Sequence, residues 1–417
     1  MIGTTTHTHA RIGILALVAT LAACDSASEP PNFSWVEPHA LVPEPGRHDV
    51  AIVDTREVVP GPGLPSQLVL GNSRNNLDVV RHEGRVYLGL RTAPDHFAGT
   101  ETRMYVISSV DETTWDYEYE VALGTDIREP RFLSIGSSLF LHFSVLGTDP
   151  LSFDPMGVRI VEKTESGWGP VTDLFTDDRI VWRTRVVDGV AYATSYTGGA
   201  HIYTFDGLPL DVQFLKSTDG RTWGPVGSRD SIHSGGSSET DFAWDDAGDL
   251  WFVMRTEAYD VHGTGSKICV ARGGNVDSLY CRSDPKKYDS PLVFAHDGEI
   301  YLVGRRNLTD TGYYGDPTWD WSTNDPFELI REQIAYRDAS KRCSLWRIDR
   351  EDVRIAYLLD LPSNGDTCFA SMLEGANPDE VILYNYSSDP NGPELTWVQG
   401  QEGPTNIYRH VLRFTRR

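Results

Sequence analysis

Charged and aromatic residues recur at fixed offsets along this chain of 417 residues. Six short stretches each open on a polar residue, run into apolar residues and reach a turn. Asn76, Glu129, Arg183, Glu239, Asp289 and Asp366 hold the opening position. Two residues on, and so on the same face of a strand, come Asp78, Arg131, Arg185 and Asp241. Seven residues after each turn residue stand Arg91, Phe143, Tyr196, Arg255, Arg305 and Tyr386. Strands that start inside an apolar core do not open on polar residues six times over; strands that converge on a wet hollow do. Carboxylates at such a hollow (Asp78, Glu129, Glu239, Asp241, Asp289, Asp366) suit acid–base work on a glycosidic bond. One donates a proton from a raised pKa, and a second, about 5–5.5 Å or about 6.5–9.5 Å away, acts as nucleophile or base. Arg91, Arg131, Arg183, Arg255 and Arg305 suit an acidic group on the sugar, because a guanidinium grips a carboxylate in bidentate fashion. Tyr386 can stack on a sugar and donate one hydrogen bond. His96 is a possible helper in the loop that follows. The alternative is that these charges bond to one another and merely close the fold.

The elements that carry these residues form a repeat. The turns fall at Gly84, Gly136, Gly189, Gly248, Gly298 and near Asp379, and the first five are 50 to 59 residues apart. After each turn the chain reads as a strand, as in Val86-Tyr87-Leu88-Gly89-Leu90-Arg91. Each unit leaves room for four short strands, the blade of a β-propeller, which closes on itself and hides its strand edges. The expectation is an all-β, six-bladed β-propeller with four-stranded antiparallel blades over residues 46–417. The wide last gap is an insertion over 306–341, where only 325–337 has helical character. A second signature sits late in the units. Ser109-Val110-Asp111-Glu112-Thr113-Thr114-Trp115 and Ser217-Thr218-Asp219-Gly220-Arg221-Thr222-Trp223 share one spacing, and Lys163 to Trp168 is a degenerate copy. There a short Asp caps turn N–H groups and the Trp packs between sheets.

These turns resemble the Asp box, and within a six-fold repeat they resemble the sialidase superfamily over roughly residues 70–417. The resemblance implies the propeller and a glycan-cleaving scaffold, glycoside hydrolase or polysaccharide lyase. It also implies roles. Glu239, followed by Gly248-Asp249-Leu250 and Arg255, is similar to the family's glutamate and second arginine. Arg305-Arg306-Asn307-Leu308 is similar to the context of its third. Asp95 lies where the family places its acid/base aspartate, which makes Glu239, Asp95, Asp241, Asp289 and Asp366 the catalytic candidates. The chain departs from the pattern twice. Asn75 or Asn76 stands where the first arginine is expected, and Cys368-Phe369 stands where the nucleophilic tyrosine opens the last blade; Tyr336 in the insertion is an alternative source, but the strand alignment favours its absence. A conventional retaining sialidase is therefore not expected. A non-catalytic propeller that binds glycan or protein is the second reading, and an envelope protein with a filled axis is the third. No cofactor is implied, no spacing suits a metal, and the chain is expected to act as a monomer.

Arg11, the apolar run Ile12 to Leu21 and Leu21-Ala22-Ala23-Cys24 resemble a bacterial lipoprotein signal (residues 1–23), with Cys24 as the lipidated N-terminus. Residues 24–45, rich in Pro, Ser and Glu, read as a tether. The membrane is met through that anchor only. Four further cysteines in an exported chain suggest two disulfides. Cys269 and Cys281 flank a turn, Cys343 and Cys368 remain, and buried free thiols are the alternative. A formal charge of −23 excludes a nucleic-acid partner, which needs a basic face.

Overall fold

The computed structural model describes residues 33–35, 42–203, 208–257, 265–309 and 326–417. The leader and Cys24 lie outside the described residues. Six sheets radiate about one axis as a six-bladed β-propeller. Blade one is Ser73–His82, Arg85–Ala93, Arg103–Ser109 and Asp116–Val121, paired in that order and antiparallel. Blades two to five start at Asp126–Ile135, Ile180–Val187, Ser237–Trp244 and Asp289–His296. Blade six begins with Ser371–Glu374, Glu380–Ser387 and Asn406–Arg416, and its fourth strand is His48–Val59 from the other end of the chain. Phe33–Trp35, inside the segment read as a tether, adds a parallel strand to the rim of blade four.

The core is distributed between blades rather than gathered in one place. Trp251, Val253 and Ile268 of blade four meet Val293, Leu302 and Trp346 of blade five. Burial of side chains of this size contributes about 1.5–3 kcal/mol each. The first hairpin turns use Gly84 and Gly298 at φ +78°, where a residue with a Cβ is strained. Both Asp-turn signatures join a blade's third strand to its fourth. Asp111 Oδ1 accepts the N–H groups of Thr113 and Thr114 at 2.8 Å, and Asp219 Oδ1 accepts those of Arg221 and Thr222 at 2.8 and 2.7 Å. These bonds hold both carboxylates well below the usual aspartate range. Two disulfides form, Cys269–Cys281 within blade four and Cys343–Cys368 between blades five and six, which suits an oxidising compartment. Among the described residues no helix is long and apolar enough to cross a membrane.

One irregularity decides what faces the axis. Near its opening, each of the first five inner strands slips register by a β-bulge: at Asn76, between Arg128 and Arg131, at Trp182, between Ser237 and Thr240, and between Asp289 and Leu292. Asn76, Glu129, Ser290 and, in blade six, Cys368 take positive φ. A bulge re-aims the side chains beside it, so a strict count of two along these strands fails there.

Candidate active site

A cavity of about 230 Å³ opens on the axis at the mouth where the inner strands begin. Its wall is built from inner-strand openings (Asn76, Glu129, Glu239, Ser290), from second-strand ends (Tyr196, Arg255, Arg305, Tyr386) and from the loops that follow. The loop after blade one's second strand brings His96 and Phe97, and the corresponding loop of blade six brings Trp397 and Gln401. That second loop is a short helix, Trp397–Glu402, fixed by a capping box between Thr396 and Gln399. The insertion forms a helix, Pro326–Asp338, as its sequence suggested, and carries Tyr336 to the back of the wall against Trp397.

Two glutamates line the cavity in different settings. Glu239 accepts Arg255 Nη1–H at 2.7 Å through Oε1 and the Ser290 N–H at 2.8 Å through Oε2. Glu129 Oε2 is buried without a hydrogen bond among the described residues, and its ionic neighbour is Arg131 at 3.5 Å. Burial, with the negative field of Glu239 adding to it, pushes the Glu129 carboxyl up to about 7 against the pull of Arg131 and Arg128.

The arginines are committed to protein groups. Arg255 meets Glu239, Glu257 and Asp289 at 2.7, 2.5 and 3.1 Å. Arg305 donates to Thr367 O at 2.6 Å and Cys368 O at 3.4 Å and approaches Asp289 at 3.5 Å. Tyr336 O–H donates to the same Asp289 oxygen, Oδ2, and receives Arg305 Nη1–H at 3.3 Å, while Oδ1 faces Arg255. Asp366 is fully buried and accepts His96 Nδ1–H at 2.6 Å, Tyr386 O–H at 2.9 Å and Trp397 Nε1–H at 3.2 Å.

Several candidates fall elsewhere. Arg91 is fully buried and bonded to Asp126, Asn75 and Phe97 O; it supports the wall without lining it. The Asp95 carboxylate is used locally, accepting the Phe97 N–H at 2.9 Å, and it is the neighbouring His96 that enters the cavity. Asp78, Asp241, Arg183 and Arg185 tie the blades together at the waist. Asp78 accepts the Phe132 N–H and Asp241 the Val293 N–H, each from another blade. Arg183 and Arg185 both pair with Asp241. Arg131 is sandwiched at 4.8 and 4.3 Å by Trp182 and Phe369, with all three nitrogens lacking a hydrogen-bond partner among the described residues. Burial lowers its pKa to about 10. Asp289 and Asp366 sit behind the wall and orient residues that line it. The bulges accompany these displacements in blades three and five, where Trp182 and Ser290 hold the bulged place beside Arg183 and Asp289; in blade six Asp366 and Cys368, the latter at positive φ, precede the inner strand, which begins at Ser371. Among the described residues Arg255 and Arg305 reach the cavity already facing carboxylates, and Arg91, Arg131 and Arg183 do not line it. Sequence reasoning missed Asp126, Arg128, Ser290 and Trp397. Arg128 was visible beside Glu129, whereas Trp397 lies in a connection outside the strand and turn positions that the repeat aligns. Among the described residues no group of three His, Cys, Asp or Glu has metal-holding geometry.

No family model and no curated protein matches this chain. Solved structures do. Trypanosoma rangeli sialidase in complex with sialic acid superposes with a TM-score of 0.51 at 12% identity, over 90% of this chain and 60% of that one. The same enzyme with 2,3-difluorosialic acid gives 0.53 at 14% identity, over 82% and 54%. An α-L-arabinofuranosidase from Fusarium graminearum gives 0.50 at 11% identity, over 86% and 98%. The chain thus spans little more than half the length of the sialidase chains. Both neighbours are glycan-cleaving enzymes, and at these identities the likeness is one of fold: the chain is a six-bladed β-propeller of the shape that carries them.

Proposed function

We propose that this protein is a glycoside hydrolase with Glu129 as proton donor and Glu239 as its carboxylate partner. The observation that carries the reading is the pairing of two unlike glutamates on one cavity wall. Glu129 holds its proton up to about pH 7 because it is buried, and a carboxyl that is still protonated near neutrality is suited to give that proton to a leaving oxygen. Glu239 is oriented by the Arg255 guanidinium and the Ser290 N–H, so a carboxylate faces the carbon that becomes positive as the bond breaks. Tyr196, Phe369 and Trp397 supply ring faces for a sugar. Export, with lipid attachment at Cys24 and a tether over 24–45, belongs to the same reading and places the enzyme outside the cytoplasm.

The test is turnover by purified Glu239→Gln on a panel of fluorogenic glycosides, with circular dichroism to verify folding. The expected result is a loss of activity of at least ~10²-fold with the sheet signal kept. A folded variant with unchanged turnover would overturn the assignment of Glu239.

A further inference from the structure

The charge balance of the cavity and the orientation of one histidine together point to the class of ligand. Asp366, with no exposure, engages three donors, and one of them is His96 Nδ1 at 2.6 Å. A carboxylate only accepts, so Nδ1 carries a proton, and burial lowers the His96 pKa and favours the neutral ring, which leaves the lone pair on Nε2. Asn75 Nδ2, 3.0 Å from the same Nδ1, has its own acceptor in Ser73 Oγ at 2.9 Å. The His96 N–H is tied to Gln401 O at 3.1 Å and its carbonyl to Arg128 at 2.7 Å, which fixes the ring from both sides. His96 lines the cavity, and Nε2 has no partner among the described residues. The wall therefore presents a fixed hydrogen-bond acceptor.

An acceptor cannot bind an ionised carboxylate, but it can bind a hydroxyl. The arginines agree with this. Arg255 is surrounded by three carboxylates, Arg305 is held by two carbonyls, Tyr336 and Asp289, and Arg91 is fully buried. Arg128 lines the cavity with Nε on Asp126 and Nη2 on the His96 carbonyl. Its charge is met by Asp126 at 2.6 Å, and the N–H groups left over are donors for sugar oxygens. An acidic ligand would add negative charge beside Glu239, where each lining guanidinium among the described residues already faces a carboxylate. The volume, about 230 Å³, is below the ~300–1,000 Å³ usual for ligand pockets, which fits one small ring.

We propose that the cavity takes a single terminal, uncharged sugar unit, and that His96 Nε2 accepts a hydrogen bond from one of its hydroxyls, making His96 a specificity-determining residue. The proposal rests on the glycosidase reading for the reaction but not for binding, so the two are tested apart. Turnover is measured on 4-methylumbelliferyl glycosides in matched pairs, glucoside against glucuronide and galactoside against galacturonide, with the sialoside and the arabinofuranoside added. Binding of the corresponding free sugars is measured by calorimetry on the same full chain. A neutral sugar should bind best. His96→Ala should weaken it about tenfold through KM or Kd with little change in kcat, and His96→Gln, which keeps an acceptor, should recover part of the loss. In a series of monodeoxy sugars, one should bind wild type and His96→Ala equally, because the two losses share one bond. A uronate or sialate bound as tightly as its neutral match overturns the proposal, as does neutral binding indifferent to His96, or no sugar binding at all. Neutral binding that depends on His96, without turnover of any glycoside, keeps this proposal and removes the glycosidase reading.

Discussion

Glu129→Gln separates a catalytic carboxyl from a merely buried one, because glutamine copies the neutral acid in shape and charge but cannot lose a proton. In the folded protein the Glu129 carboxyl sits at about 7 against an ordinary 4.5, through burial first and the field of Glu239 second. Its folded pKa lies above its unfolded one, so the stability it contributes is fully present below about pH 4.5 and is lost as pH rises through about 7. At about 1.36 kcal/mol per pH unit this loss is on the order of 3 kcal/mol by pH 9. For roughly 370 residues with an unfolding entropy of about 2.1 cal/mol/K each, 3 kcal/mol corresponds to about 4 °C in Tm. Wild type and Glu129→Gln should therefore melt alike near pH 4.5, and the variant should gain about 4 °C on wild type by pH 9, while its turnover falls by about 10²–10⁴. The assay is differential scanning calorimetry from pH 4.5 to 9 beside a fluorogenic glycosidase assay. A Tm difference that stays flat across this range, or wild type gaining on the variant above pH 7, would refute the reasoning that burial holds the proton.

Two further outcomes can be checked. Replacing Cys343 and Cys368 together by serine removes a cross-link closing 25 residues, which loop entropy puts at about 3.5 kcal/mol. The double variant should reach its urea midpoint earlier, with an m-value no smaller than wild type's because the unfolded chain is freed to expand, and an unchanged midpoint would show that the cross-link adds nothing. Cys24→Ser should move the expressed protein from the membrane fraction to the soluble extracytoplasmic one, so a variant still pelleting with membranes would remove the anchor at Cys24.

The repeat was legible because it is written in local chemistry. Left-handed turns need glycine, buried strands need apolar runs, and the Asp111 and Asp219 turns carry their own caps. Six blades, the insertion helix and the Cys269–Cys281 bridge could be read from those signals, as could the presence of Glu239, Glu129, Arg255, Arg305, Tyr386 and His96 at one mouth. What was not legible is which charges face ligand and which face one another. Asp78 and Asp241 look like Glu129 and Glu239 in the sequence, yet they accept N–H groups of other blades, and only the three-dimensional register shows it. The bulges displaced Arg183 and Asp289 by a residue, Asp366 lies ahead of its inner strand, and no residue type announces a bulge in advance. Trp397 and Tyr336 come from helices in the connections, outside the strands and turns that the repeat aligns, where periodicity carries no information.

The closure of blade six has a consequence of its own. His48 is paired with Arg416 and Val59 with Ile407, so the first long strand cannot dock until the last one exists. During synthesis and export five blades can assemble while the sixth waits, a non-local contact that is slow to form. Because the two strands are antiparallel, residues 48 and 416 leave the sheet at the same edge. Force applied between those ends peels the seam one rung at a time instead of shearing all rungs together, so the circle would come undone like a zip. The same nearness means that a short peptide joining the two ends, with a new break opened in some other surface loop, would turn the zip into a continuous hairpin.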